Sequence, residues 1–538
     1  MLAFRYSSLR ILLLCCGLSI APCGAAQPEV CSRPPAGSVA NNPVELRSVN
    51  GSLSLTLTLK TDTDANGVER YCYSYSNKVE APTLRLHPGD WLTLRLKNEL
   101  PKLTSGHGHP ISPGAVCGSA GPMTPSTTNV HFHGMNVPPT CHADDVLNTL
   151  IQASDPPFEY KVQIPFNEPP GLYWYHPHPH GFSEAQVLGG AAGALIVEGI
   201  EQADPDVAGL PERVLIVRGQ DLPMQQESDP DAPECNLSLN FVPVPYPAYP
   251  PAVIRMRPAQ REFWRVLNAS ADTYIDVQLL FNGKPQTLGL VGLDGVPLAA
   301  GNGVPGGRTV PETDILIPPA GRAEFVVDGP PEGISATFVT RSVDTGPMGD
   351  SDPSRPMATI QLSPTAPEPA SLPARAANLS SQRFAWLSEE TPIRQRKLYF
   401  SESPIDPSDP TGPTNFFITV EGQTPHVFDP AAPPSIITQI GAVEDWTIEN
   451  RSQENHAFHI HQLHFLVREK NGVPVNEPVL LDTINVPYWD GKSSTYPSVK
   501  LRLDFRDPEI AGTFVYHCHI LEHEDGGMMG KIEVDPAP

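Results

Sequence analysis

Between Leu84 and Asn98 the chain reads LRLHPGDWLTLRLKN: a short strand, a turn at Pro88 and Gly89, then leucine at every second position up to an asparagine. A period of two marks a strand with one face buried. The arrangement returns as IRMRPAQREFWRVLN (Ile254 to Asn268) and as ITQIGAVEDWTIEN (Ile437 to Asn450). Pro88 and Pro258 each stand ten residues before the asparagine, and the asparagines are 170 and 182 residues apart. Three similar units in series are expected.

A second element keeps step with the first. GLYWYHPH (Gly171 to His178), GRAEFVV (Gly321 to Val327) and GTFVYHCH (Gly512 to His519) each follow a turn glycine with apolar and aromatic residues, the pattern of a buried strand. The first and third copies end in His-x-His; the middle copy has no histidine. The outer units are therefore expected to carry the chemistry, with the middle one a spacer or a substrate wall. SPTAPEPASLPARAAN, from Ser363 to Asn378, is rich in proline and alanine and reads as an extended linker. No long amphipathic stretch breaks the pattern, so the expected fold is all-β, three β-sandwiches over residues 27–203, 204–362 and 381–538, with a linker at 363–380.

Composition agrees. The 63 prolines among 538 residues disfavour long helices. A formal charge of −24 excludes the basic surface that nucleic acid requires. Arg5 and Arg10, the apolar run Ile11 to Ile20 and the small residues Gly24, Ala25 and Ala26 form a secretory signal pattern, with cleavage after Ala26. No later run reaches the ~20 apolar residues of a membrane span. The protein is expected to be exported, to a periplasm or beyond. Three of the nine cysteines (Cys15, Cys16, Cys23) belong to the signal. Of the remainder, Cys117 with Cys141 or Cys31 with Cys235 are candidate disulfides in an oxidising compartment.

The seventeen histidines fall mostly in four clusters: His131 and His133; His176 and His178; His456, His459, His461 and His464; and His517, His519 and His523. One His-x-His pair is ordinarily a satisfied or exposed pair, but four clusters in two equivalent units point to metal. In an extended His-x-His both imidazoles share one face of the strand, about 7 Å apart at Cα. Cys518, between His517 and His519, then points to the opposite face. A metal at the cysteine and metals at the histidines would be joined by a few covalent bonds. His523 and Met528 follow the cysteine closely, and His456 completes a His₂Cys site with a long axial methionine, the blue-copper arrangement. Met529 is the alternative axial residue. One cysteine among so many histidines does not match a closed zinc site.

HFHG, HPH, H-x-x-H-x-H and HCHILEHEDGGMM, in that order, resemble the multicopper oxidase family of three-domain, bacterial laccase-like type, over essentially all of the chain beyond the signal. The resemblance implies cupredoxin-like domains and four copper ions. Type 1 copper would take His456, Cys518, His523 and Met528, and type 2 copper His131 and His459. The type 3 pair would take His133, His176 and His519 on one ion and His178, His461 and His517 on the other. Ala457 stands where the family has proline and Gln462 where it has glycine. His142, His180 and His464 have no family role and are expected to orient ligands or to lie near the surface. Reduction of O₂ needs protons as well as electrons, and carboxylates are the natural source. Glu524 matches an acid with this role in bacterial relatives, and Asp144 or Asp145 would match a second; each also reads as part of a solvated acidic loop.

The implied enzyme is a copper-dependent oxidoreductase with O₂ as acceptor. It would oxidise a small reducing substrate at type 1 copper and pass electrons through Cys518 to His517 and His519. Phenols and aromatic amines are the expected donors. Cu(I) ranks second, because the nine methionines form no cluster. A copper-binding electron-transfer protein would need only the type 1 ligands.

Overall fold

A computed structural model describes residues 31–537 apart from 103–116, 120, 224–225, 227–228, 230–231, 299–308, 375–382, 410–411 and 476–478. The expected signal, residues 1–26, and the end of the expected linker lie outside the described residues. Strands dominate what is described and form two large sheets in each third of the chain. Its three α-helices, Ser183–Leu188, Ile200–Ala203 and Leu521–Asp525, are short. None is long and apolar enough to cross a membrane.

The alternating stretch Trp91–Asn98 behaves as its pattern requires: Leu92, Leu94 and Leu96 are buried while Trp91 and Arg95 are exposed. It lies in a sheet ordered Phe158–Gln163, Trp91–Asn98, Ser52–Thr63, Glu69–Tyr75, Val79–Glu80. The strand before the turn, Thr83–Leu86, belongs to the facing sheet, ordered Glu45–Arg47, Thr83–Leu86, Gly193–Val197, Gly171–His176, His131–His133. The repeated turn therefore carries the chain from one layer to the other across a shared leucine-rich core. Ala252–Met256 with Arg261–Asn268, and Ile436–Gln439 with Ala442–Asn450, cross between their layers in the same way.

The asparagine that ends each repeat has a structural cause. Asn98 Nδ2 donates to the carbonyls of Ser126 and Ile151, Asn268 Nδ2 to those of Thr273 and Ile317, and Asn450 Nδ2 to those of Glu454 and Val486. Each Oδ1 accepts the backbone N–H two residues on. One fully buried side chain closes the irregular end of each sandwich, where unpaired backbone groups would be costly.

The second repeat needs a correction in the middle unit. Gly171–His176 pairs with Gly193–Val197, which runs parallel to Thr83–Leu86, and Gly512–Cys518 pairs with Met529–Asp535, which runs parallel to Ile436–Gln439. The middle strand with this place is Ala336–Arg341, paired with Arg355–Leu362, which runs parallel to Ala252–Met256. Arg322–Asp328, expected as the equivalent, lies in the opposite layer against Arg261–Asn268. ATFVTR and GTFVYH are the true counterparts, so Arg341 stands where the third unit has His517.

The described part of the linker is not a free tether. Ser371 bridges Pro211, and Leu372 packs on Ile200, Val207 and Phe263. Cys117 and Cys141 form a disulfide, as expected, with Cα atoms 5.5 Å apart. Cys31 pairs with Cys72, not Cys235: Arg70, on the strand that carries Cys72, donates to the Cys31 carbonyl at 3.2 Å, and the two Cα atoms are 5.9 Å apart. Cys235 and Cys518 are free and buried.

Candidate metal centre

Two equivalent strand pairs build the site. In the first unit His131–His133 runs antiparallel to Gly171–His176, with His131 opposite His176. In the third, His456–Ile460 runs antiparallel to Gly512–Cys518, with His459 opposite His517 and Phe458 opposite Cys518. These pairs face each other, so eight imidazoles from distant sequence converge in one buried nest. His131 stacks on His461 at 3.8 Å between ring centroids, and His133 on His459 at 3.9 Å.

Three triads have ring nitrogens close enough to share one ion: His131, His133 and His459; His133, His176 and His519; His178, His461 and His517. In the last, His517 Nε2 lies 3.2 Å from His461 Nε2 and 3.4 Å from His178 Nε2. Nε2 of His131, His176, His459 and His519 and Nδ1 of His133 are buried with no protein partner. An unmatched polar atom in a dry interior costs ~1–3 kcal/mol, so this convergence calls for a ligand. The opposite nitrogens are held in place: His176 Nδ1–H donates to Pro177 O at 2.9 Å, His459 Nδ1–H to Asp482 O at 2.8 Å and His517 Nδ1–H to Cys518 O at 2.9 Å. Such outer bonds fix tautomer and ring plane for a metal. Burial, then neighbouring imidazoles, holds His131, His461 and His519 well below the usual histidine range, and His176 down to about 3. They are neutral, the form that binds metal.

On the far face of Gly512–Cys518 the thiol meets two more imidazoles. Cys518 Sγ is 3.5 Å from His456 Nδ1 and 3.7 Å from His523 Nδ1, and those nitrogens are 3.1 Å apart. Burial pushes the Cys518 thiol up, so a cation is needed to hold it as thiolate. Cys518 N–H donates to Met528 O at 3.1 Å, which places Met528 beside it in the same core. Met529 points the other way, into a cluster with Val146, Leu147, Phe428 and Val515. Phe416 stacks on His523 at 4.3 Å and Phe400 tilts against His456 at 4.7 Å, keeping water from the sulfur.

The three candidate acids separate. Asp144 lies 2.9 Å from His131 Nδ1 and also accepts from the Phe132 N–H and the Gln462 amide. Gln462 adopts φ +60°, the left-handed region that glycine favours, and its side chain then reaches Asp144. Asp145 instead holds Asn148 at the start of the following turn. Glu524 is fully buried with Oε2 3.1 Å from His517 Nδ1 and Oε1 3.5 Å from His178 Nδ1. His142 is exposed and stacks on Phe158; His464 is buried and donates from Nε2 to Asp294 O at 2.8 Å; His180 is buried against Phe428.

Three carboxylates beside these imidazoles were not expected from the sequence. Glu402 Oε1 lies 3.0 Å from His456 Nε2, and Glu454 Oε1 3.2 Å from His523 Nε2. Asp482 Oδ1 lies 3.2 Å from His133 Nε2. Only Glu454, two residues before His456, had proximity in sequence to suggest it.

Two family models, both described as multicopper oxidase, match residues 122–202 and 404–538. A laccase of Haloferax volcanii is 25% identical, with 86% of this chain and 77% of that one covered. A multicopper oxidase of Staphylococcus haemolyticus is 24% identical over 86% and 83%. The solved structure of a Campylobacter jejuni multicopper oxidase, described as a metallo-oxidase, superposes with a TM-score of 0.67 at 24% identity, covering 94% of this chain and 96% of that one.

Proposed function

The chain belongs to the multicopper oxidase family, a copper oxidase with O₂ as its acceptor, and we propose that its electron donor is a small cation, a reduced metal ion such as Cu(I) or Fe(II). His456, Cys518, His523 and Met528 would hold type 1 copper, and His131 and His459 type 2 copper. His133, His176 and His519, with His178, His461 and His517, would hold the type 3 pair. Copper at these positions supplies one-electron acceptance from the donor and four-electron delivery to O₂. The donor set fits: neutral imidazoles and one thiolate suit copper better than hard cations.

The rest is done by the chain. The backbone from Cys518 to His517 joins the two centres by a few bonds, shortened by the hydrogen bond from His517 Nδ1–H to Cys518 O. Asp144, on His131, and Glu524, on His517 and His178, flank the nest and are the groups to hold and pass protons there. The two disulfides suit an oxidising compartment, which supports export.

The donor assignment is carried by one observation: the outward nitrogens of both sulfur-side imidazoles end on carboxylates, Glu402 and Glu454. Burial and the neighbouring Glu402, Asp350 and Glu522 push the Glu454 carboxyl up to about 10, so this crowded acidic face lacks a positive partner. Met348, 56% exposed, sits on the adjoining loop, its N–H on Gln453 O at 3.2 Å, and offers a soft thioether. Such a face attracts and seats a cation, whereas a neutral phenol gains nothing from it. O₂ uptake by copper-loaded protein tests this with Cu(I), Fe(II), a phenol and an aromatic amine. The metal ions should show the highest kcat/KM, falling with ionic strength and falling again, about tenfold, in Glu402→Gln. Preferential, salt-indifferent turnover of the phenol overturns the proposal.

A further inference from the structure

The middle unit supplies none of the ligands proposed above, yet it reaches the nest. Arg322 opens the strand Arg322–Asp328, is fully buried, and touches all three units. Its Nε–H donates to Leu172 O (3.1 Å) on the first unit's histidine-bearing strand, and Nη1 donates to Ala320 O (3.1 Å) in its own unit. Nη1 and Nη2 grip Asp482 of the third unit as a fork, at 2.8 and 2.5 Å. Asp294, also from the middle unit, accepts the backbone N–H of Asp482, Thr483 and Arg322.

What they hold is the turn that aims two imidazoles. Asp482 Oδ1 faces His133 Nε2 at 3.2 Å, the Asp482 carbonyl accepts from His459 Nδ1–H at 2.8 Å, and Thr483 Oγ1 lies 3.2 Å from His459 Nδ1. The free nitrogens of these rings, His133 Nδ1 and His459 Nε2, then point into the nest. Gly134 shows how tight the fit is. A Cβ there would come within 2.6 Å of both Arg322 Nη2 and Asp482 Oδ2, and its φ of +83° already favours glycine. The glycine of VHFHG is thus required by the approach of the middle unit's arginine.

We propose that Arg322 is a positioning residue for the O₂-reducing centre: through Asp482 it fixes the ring orientation of His133 and His459, so the middle unit sets the geometry of copper it does not bind. A bidentate fork fixes a plane, which a lysine's point charge cannot do. The inference rests on reading His133 and His459 as copper ligands.

The test is EPR of copper-loaded protein together with copper content after dialysis. In Arg322→Met the type 2 hyperfine splitting should change and type 2 copper should be lost first, while the Cu–thiolate absorption and its anaerobic bleaching by donor stay as in the wild type. Arg322→Lys, which keeps charge without the fork, should fall between. Should Arg322→Met fail to fold, the lysine variant and Asp294→Asn decide by the same readouts. An unaltered type 2 signal and copper content in the folded variants overturn the proposal. A wild type with no type 2 signal overturns the ligand reading beneath it instead.

Discussion

Cys518 and Cys235 are both buried and both unpaired, and burial raises both thiols, Cys235 to about 12. Only their neighbours distinguish them. Cys518 faces two imidazole nitrogens, whereas Cys235 sits 3.1 Å from the Thr273 hydroxyl in the core of the middle unit. Cys518→Ser should therefore abolish the Cu–thiolate absorption and O₂ uptake with any donor. Cys235→Ala should keep both and lose about 1 kcal/mol of stability. A serine variant at 518 that stays coloured and active would refute the type 1 site. At this scale the sequence was legible where spacing carries the chemistry, as with the ten histidines that line the two sites. It was silent where a turn decides: Asp144 and Asp145 are neighbours in sequence, but only Asp144 faces His131. Met528 and Met529 are parted because the last strand begins at Met529, a start that no pattern marked. Glu402 reaches His456 across 54 residues, a distance that no local pattern spans.

At the scale of elements, the strand–turn–strand repeat was legible because its alternation and its terminal asparagine are both structural requirements. The asparagine makes a test away from copper. Asn268 bonds two buried carbonyls and accepts the Ser270 N–H; in Asn268→Ala the Thr273 carbonyl keeps the Ser270 hydroxyl, while the Ile317 carbonyl and the Ser270 N–H lose this partner. At ~1–3 kcal/mol each, with partial relaxation, a loss of about 3 kcal/mol is expected in urea unfolding, with copper spectra unchanged. A loss below 1 kcal/mol would show that the sandwich end is held by other contacts. The second repeat was misread in the middle unit because a glycine followed by an apolar run describes any buried strand. Arg322–Asp328 and Ala336–Arg341 both qualify, and they lie in opposite layers. Layer assignment comes from pairing across the unit, which local pattern does not encode.

For the whole molecule, periodicity leads to three units, but the contacts that join them include long-range charge pairs that periodicity cannot show. Arg322 with Asp482 is one; a second lies between the first two units. Glu212, 4% exposed, takes hydrogen bonds from Arg85 of the first unit and Arg265 of its own, and Arg265 also binds Glu324. Burial alone would raise the Glu212 carboxyl, but Arg265 and Arg85 outweigh it and leave it below its ordinary value. The unfolded chain, with Glu212 near 4.5, then binds this proton more readily than the folded one. Stability from the pair is fully present above that pH and is lost as pH falls through the lower folded value. Glu212→Gln should lose about 3 kcal/mol at neutral pH by leaving two buried guanidiniums short of their counter-charge. Below about pH 4.5 its stability should fall less steeply than that of the wild type, so the two urea-midpoint curves converge in acid. Parallel curves would mean that Glu212 carries its proton equally in both states, and that this charge cluster adds no pH-dependent stability to the join between the first two units.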